Sequence, residues 1–157
     1  MFDSDFNIIC GDRMVGKTTW LLNLSEKLTN LGLKVYFISP IIIDDILIKN
    51  KVTFYRFLKL DDRIDMVIDS IKESIIRDNY DYLIIDDLDL FTNKVQSNLS
   101  KIPVKKISIY NGNFMVRKNL IDKFHLYKIK NGEIVGYNTN SFIRDQKLNS
   151  LLNGTNQ

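Results

Sequence analysis

The chain has 157 residues, a net charge of +3, one cysteine and one histidine. That length suits one sheet-centred domain, and a single Cys with a single His excludes both a disulfide framework and a zinc cluster. No apolar run approaches the roughly 18–20 residues of a membrane span, and Ile41-Ile42-Ile43 is halted at once by Asp44-Asp45. The acidic start Met1-Phe2-Asp3-Ser4-Asp5 is unlike the basic start of a secretory signal, so a cytoplasmic location (host cytoplasm for a viral protein) is expected.

Taken in order, Phe6 to Cys10 reads as a short buried strand, and Thr19 to Leu31 as an apolar-periodic helix capped by Gly32. Between them stands Gly11-Asp12-Arg13-Met14-Val15-Gly16-Lys17-Thr18, with the spacing G-x-x-x-x-G-K-[ST]. Lys34 to Ser39 is a β-branched and aromatic run ended by Pro40, a second core strand. Val52 to Tyr55 forms a further short strand, and Asp61 to Asn79 carries the period of an amphipathic helix. Tyr80 to Asp89 then holds four apolar residues ending in Asp86-Asp87, a buried strand that delivers a carboxylate at its tip. A short helix over Asn93 to Lys101, a strand over Val104 to Tyr110 and a short helix over Arg117 to Lys123 follow. Phe124 to Lys130 and Glu133 to Tyr137 alternate around Asn131-Gly132, a strong hairpin signal. The expected fold is a three-layer α/β domain over 1–138, with a mostly parallel sheet and an antiparallel C-terminal hairpin. A polar tail follows over 139–157.

The strand–loop–helix setting gives the glycine motif its chemistry. Gly11 and Gly16 free the loop to bring backbone N–H groups to phosphate oxygens, and the helix adds its unpaired first amides. The expected nucleotide-binding residues are Gly11, Asp12, Arg13, Met14, Val15, Gly16, Lys17, Thr18 and Thr19. Lys17 reaches the β/γ-phosphates as a point charge, and the Thr18 hydroxyl and Asp86 are the candidate Mg²⁺ ligands. ATP and Mg²⁺ are the expected cofactors. A glycine turn before a helix, and a strand before a polar turn, would match the two patterns separately; about seventy residues apart they reinforce each other.

Charge is unevenly spread. Residues 1–91 hold 16 acids and 11 bases, a net of −5, while 92–157 hold 3 acids and 11 bases, a net of +8. The basic half is either a polyanion-binding surface or a solvated face. Lys101, Lys105, Lys106, Arg117, Lys118, Lys123, Lys128 and Lys130 are the residues able to track a nucleic-acid backbone, with Tyr110 or Phe114 as stacking candidates. Abundant Ile, Asn, Lys and Asp with few Gly and Pro is the composition of an AT-rich coding sequence, as in a bacteriophage or a low-GC bacterium.

With these stretches in place, residues 6–138 resemble the RecA-like P-loop ATPases, especially the ATPase domain of DnaB-type hexameric replicative helicases. The resemblance rests on Gly11 to Thr19, the strand Val35 to Ser39, Leu83 to Leu90, and the strand Lys105 to Tyr110 ending at Asn111. It implies ATP hydrolysis in DNA replication, recombination or packaging, single-stranded DNA as a partner, and a homo-oligomer or larger motor assembly. It makes Asn111 the γ-phosphate sensor and Arg117 with Lys118 a candidate arginine finger or a solvated pair. The family places a water-activating glutamate just after the second strand. Here that stretch reads Pro40-Ile41-Ile42, and the chain's glutamates are Glu26, Glu73 and Glu133. Asp87 is the first substitute and Asp44 or Asp45 the second, the alternative being a nucleotide-binding subunit with little hydrolysis. The chain also looks similar to compact P-loop thymidine kinases through its glycine motif, Lys34 to Pro40 and Asp81 to Asp87. It lacks the four cysteines of their zinc lobe.

Overall fold

The computed structural model describes residues 5–11, 16–39, 53–56, 64–111, 124–130 and 133–137. Its strands are β1 (Phe6–Gly11), β2 (Val35–Ser39), β3 (Thr53–Arg56), β4 (Tyr82–Ile85), β5 (Lys105–Asn111), β6 (His125–Lys130) and β7 (Glu133–Tyr137). The helices are α1 (Lys17–Asn30), α2 (Ile64–Arg77) and α3 (Asn93–Ser100), with a 3₁₀ turn over Leu88–Leu90. The expected helix over Arg117 to Lys123 and the tail over 139–157 lie outside the described residues.

The seven strands form one sheet in the order β3-β2-β4-β5-β1-β6-β7. All adjacent pairs are parallel except β6 with β7, so the expected hairpin is present and only its last strand runs backwards. The chain starts inside the sheet at β1, crosses by α1 to β2, and later returns through β4 and β5 to fill the gap. Right-handed crossovers in opposite directions place their helices on opposite faces. Accordingly Leu21 and Leu28 of α1 pack with Ile9, Phe37, Ile84, Ile107 and Ile109 on one face. Ile68, Ile71 and Ile75 of α2 and Val95 and Leu99 of α3 pack with Ile8, Ile38, Leu83 and Ile85 on the other. Alternate residues of each central strand thus enter different cores, which is why these strands read as continuous apolar runs.

Two helix ends aim the strands that follow them. Gly32, at φ +82°, closes α1 with Gly32 N–H to Thr29 O at 2.9 Å and Leu33 N–H to Leu28 O at 3.1 Å. Asn79, at φ +53°, does the same for α2, with Tyr80 N–H to Ile75 O at 3.1 Å. Leu31, an apolar position in the expected helix pattern, is 75% exposed because it sits at the cap and not on the buried stripe. Lys34 joins the starts of β2 and β4: its backbone N–H donates to Asp81 Oδ2 at 2.8 Å and its carbonyl accepts from Asp81 N–H at 2.9 Å. Every parallel strand therefore leaves the sheet at the same edge, and Gly11, Ser39, Asp86 and Asn111 gather there.

Candidate functional site

At that edge the glycine motif begins α1 as its spacing predicts. Gly16 caps the helix in the left-handed region (φ +81°, ψ +24°), and a Cβ there would meet nothing within 4 Å. Glycine is needed for the backbone conformation, not for room. Among the described residues no side chain caps α1, and no acid lies in its first turn, so its first amides are available to an anion. Lys17 is buried at 4% exposure at the start of the helix. Its charge acts on the neighbouring Cys10 thiol, whose pKa burial nonetheless pushes up to about 12, so this thiol is inert.

The two motifs meet through Thr18 and Asp86. The Thr18 hydroxyl lies 3.3 Å from Asp86 Oδ1 and 3.2 Å from Oδ2, although 68 residues separate them. Strand order explains the meeting: β5 separates β1 from β4, and α1 brings Thr18 back over the sheet towards the β4 tip. Asp86 is fully buried. Its backbone N–H donates to Ile38 O at 2.9 Å, which continues the β2–β4 ladder by one step and fixes the acid beside the end of β2. Burial first, and the adjacent Asp87 second, raise the Asp86 pKa to about 6 against the hydroxyls of Thr18 and Ser39 and the backbone amide of Asp87. These supporting donors are all neutral. A divalent cation would supply the positive charge the carboxylate lacks, so Thr18 and Asp86 fit Mg²⁺.

Asp87 takes the left-handed conformation (φ +54°, ψ +55°) and leads into the 3₁₀ turn. Aspartate tolerates that region better than most residues. Leu88, which opens the turn, and Phe91, which follows it, are buried, and Thr92 Oγ1 accepts from Val95 N–H at 3.4 Å to start α3. The acidic segment is therefore pinned to the core at both ends, with Asp87 half-buried beside the Mg²⁺ candidates.

Of the other expected residues, Gly11 and Asn111 lie opposite each other in the β1–β5 register, so β5 ends beside the glycine motif. Thr19 is exposed on α1. Asp12, Arg13, Met14, Val15, Asp44, Asp45, Phe114, Arg117, Lys118 and Lys123 lie outside the described residues. Glu26 on α1, Glu73 on α2 and Glu133 on β7 are all exposed; none ends a strand, although Glu133 opens β7 opposite Lys130, the last residue of β6.

The basic half needs one correction. Lys106, read above as a backbone-tracking residue, is 2% exposed. Its ammonium donates to the carbonyls of Ile102 (2.5 Å) and Val104 (2.8 Å) and lies 5.8 Å from the centre of the Phe6 ring. It ties down the turn before β5, and burial lowers its pKa to about 8. Lys101 and Lys128 are exposed and Lys105 is half-buried; Tyr110 packs against the core at its edge. Sequence reasoning also missed Ser39, which is buried with its hydroxyl 3.4 Å from Asp86 Oδ2. The available signal was a hydroxyl on the last residue of a strand next to Pro40.

No protein-family model and no curated protein matches the sequence. Among solved structures, the chain is similar to the crystal structure of the KaiC-like protein PH0186 from the hyperthermophilic archaea Pyrococcus horikoshii OT3. The two share 15% identity at a TM-score of 0.58, over 84% of this chain and 76% of that one. At that identity the likeness concerns the fold alone, an α/β domain with a mostly parallel sheet and an antiparallel last pair of strands.

Proposed function

We propose that the protein is an Mg²⁺-dependent ATPase that acts on DNA in replication, recombination or packaging, as a helicase-like motor or an accessory to one. The carrying observation is the convergence of the Thr18 hydroxyl on both oxygens of buried Asp86, the pairing a Mg²⁺·nucleotide requires at a phosphate loop. Lys17 and the amides of Gly11 to Thr19 bind the phosphates and offset charge on the transferring group. Asp87, half-buried and held against the 3₁₀ turn, orients the attacking water, and Asn111 at the β5 tip senses the γ-phosphate. Single-stranded DNA follows the exposed Lys101 and Lys128 and the half-buried Lys105 of the basic half.

A second reading has its own support. Glu26 and Glu73 lie on helices, Glu133 opens the outermost strand β7 opposite Lys130, and β2 ends in Ser39. A nucleotide-gated subunit with slow turnover, its remaining catalytic groups supplied by a neighbouring chain, fits that arrangement. ATP hydrolysis by the purified protein, with and without single-stranded DNA and beside Lys17→Ala, separates the two. Turnover stimulated by DNA and lost in the variant supports the motor. Nucleotide binding without turnover favours the gated subunit, and no nucleotide binding refutes both.

A further inference from the structure

We infer that Ser39 is a positioning residue for Mg²⁺: its hydroxyl fixes the rotation of the Asp86 carboxylate so that one oxygen faces the metal. The inference rests on the nucleotide-binding reading above and concerns how this chain holds its own acid.

Thr18 cannot do this alone. It has one proton, and its oxygen is almost equidistant from the two carboxylate oxygens, 3.3 Å from Oδ1 and 3.2 Å from Oδ2. Placed symmetrically, the Thr18 hydroxyl does not choose between the two oxygens, and the last torsion is broad for an sp³–sp² bond, so the choice falls to the other donors, the Asp87 amide and Ser39. Ser39 breaks the symmetry, because its contact is with Oδ2, at 3.4 Å. Two donors then converge on Oδ2, and Oδ1 keeps the larger share of its lone-pair capacity.

The backbone makes this contact dependable. Ser39 and Asp86 follow the paired residues Ile38 and Ile85, and the Asp86 N–H bond to Ile38 O extends that register to the acid itself. Ser39 shares a strand face with Val35 and Phe37, which pack against the α1 side of the sheet, as Thr18 does through α1. Both Ser39 (3% exposed) and Asp86 (0%) are shut off from water, so no solvent molecule readily takes the place of the missing hydroxyl.

The test is a Mg²⁺ titration of fluorescent nucleotide binding, with turnover left out of the readout. Ser39→Ala is expected to raise the Mg²⁺ concentration for half-maximal binding by about three- to tenfold, the worth of one modest hydrogen bond. Nucleotide affinity in excess EDTA should stay within twofold of wild type. Ser39→Thr should restore the Mg²⁺ response, whereas Ser39→Val, of the same shape without the hydroxyl, should behave like Ser39→Ala. If the larger variants do not fold, direct Mn²⁺ binding to wild type and Ser39→Ala, followed by electron paramagnetic resonance, gives the same comparison. An unchanged Mg²⁺ requirement in Ser39→Ala overturns the inference, as does an equal loss of affinity with and without Mg²⁺. Failure of the wild type to bind nucleotide overturns the proposed function instead.

Discussion

Replacing Asp86 by Asn should make the nucleotide-free protein more stable at neutral pH while removing its response to Mg²⁺·ATP. Asp86 is fully buried, and its folded-state pKa is raised from 3.8 to about 6. Between those values the native state binds more protons than the unfolded one, so stability falls as pH rises. The favourable contribution is complete below about pH 4 and is lost as pH passes 6. A shift of about two units corresponds to roughly 3 kcal/mol. Asparagine is nearly isosteric and carries no charge, and both neighbouring hydroxyls can donate to it or accept from it. Urea unfolding at a series of pH values from 4 to 7.5 should therefore show a gain over wild type that is small at the acid end and approaches roughly 3 kcal/mol above pH 6.5. Near neutrality the melting temperature would rise by roughly 6–12 °C at the usual scaling for a domain of this size. Adding Mg²⁺·ATP at a hundred times its dissociation constant stabilises wild type by about 2.7 kcal/mol and leaves Asp86→Asn nearly unmoved. A stability difference that is flat across the pH range would refute the assignment of Asp86 as an uncompensated buried acid.

Other consequences test neighbouring parts of the argument. Asp87→Ala puts a Cβ with no hydrogen-bonding group into the left-handed region and should lower stability by roughly 1 kcal/mol, whereas Asp87→Gly should not. If Asp87 orients water, both variants lose turnover, and activity retained in Asp87→Gly would reduce its role to backbone shape. Lys106 has a folded pKa of about 8 against 10.5, so the unfolded state binds more protons between those values and stability rises with pH there. Lys106→Met should abolish that alkaline rise in denaturation curves, lose stability because the Ile102 and Val104 carbonyls each lose a buried ammonium donor, and leave DNA affinity unchanged. The double variant Lys101→Ala/Lys105→Ala should weaken single-stranded DNA binding and shallow the log–log salt dependence by about 1.4, near 0.7 per phosphate contact. An unchanged slope would move the DNA path elsewhere.

Much of the fold was legible because its strongest signals are local. The glycine motif between a strand and a helix, the Leu83-Ile84-Ile85-Asp86 run, and Asn131-Gly132 between alternating segments each carry a mechanism within about ten residues. The continuous apolar strands also indicated a sheet covered on both faces, as the two separate cores show. What sequence hid is the three-dimensional course of the backbone, local for Lys106 and Asn79 and long-range for Ser39. Lys106 looks like its neighbour Lys105, and period-two alternation alone would turn one of them inward without saying which carbonyls receive it. Asn79 at a helix end is ordinary polar punctuation until its positive φ is seen to close the helix, and Ser39 at a strand end until the register sets it beside Asp86.

The arrangement of the acids explains why the glutamate's absence does not empty the site. Asp86 is assigned to the metal side by its hydroxyl donors and its burial. Asp87 then leaves the strand in the left-handed region, so consecutive carboxylates do not continue the simple alternation of β4. An extended residue there would follow that alternation, towards the face where Leu83 and Ile85 are packed. The left-handed turn instead leaves Asp87 half-buried while Leu88 enters the core behind it. One backbone inversion, tolerable to Asp and anchored by Leu88 and Phe91, thus separates the acid proposed to hold the metal from the one proposed to orient water. In that proposed division β2 contributes no acid of its own, only the Ser39 hydroxyl that contacts Asp86.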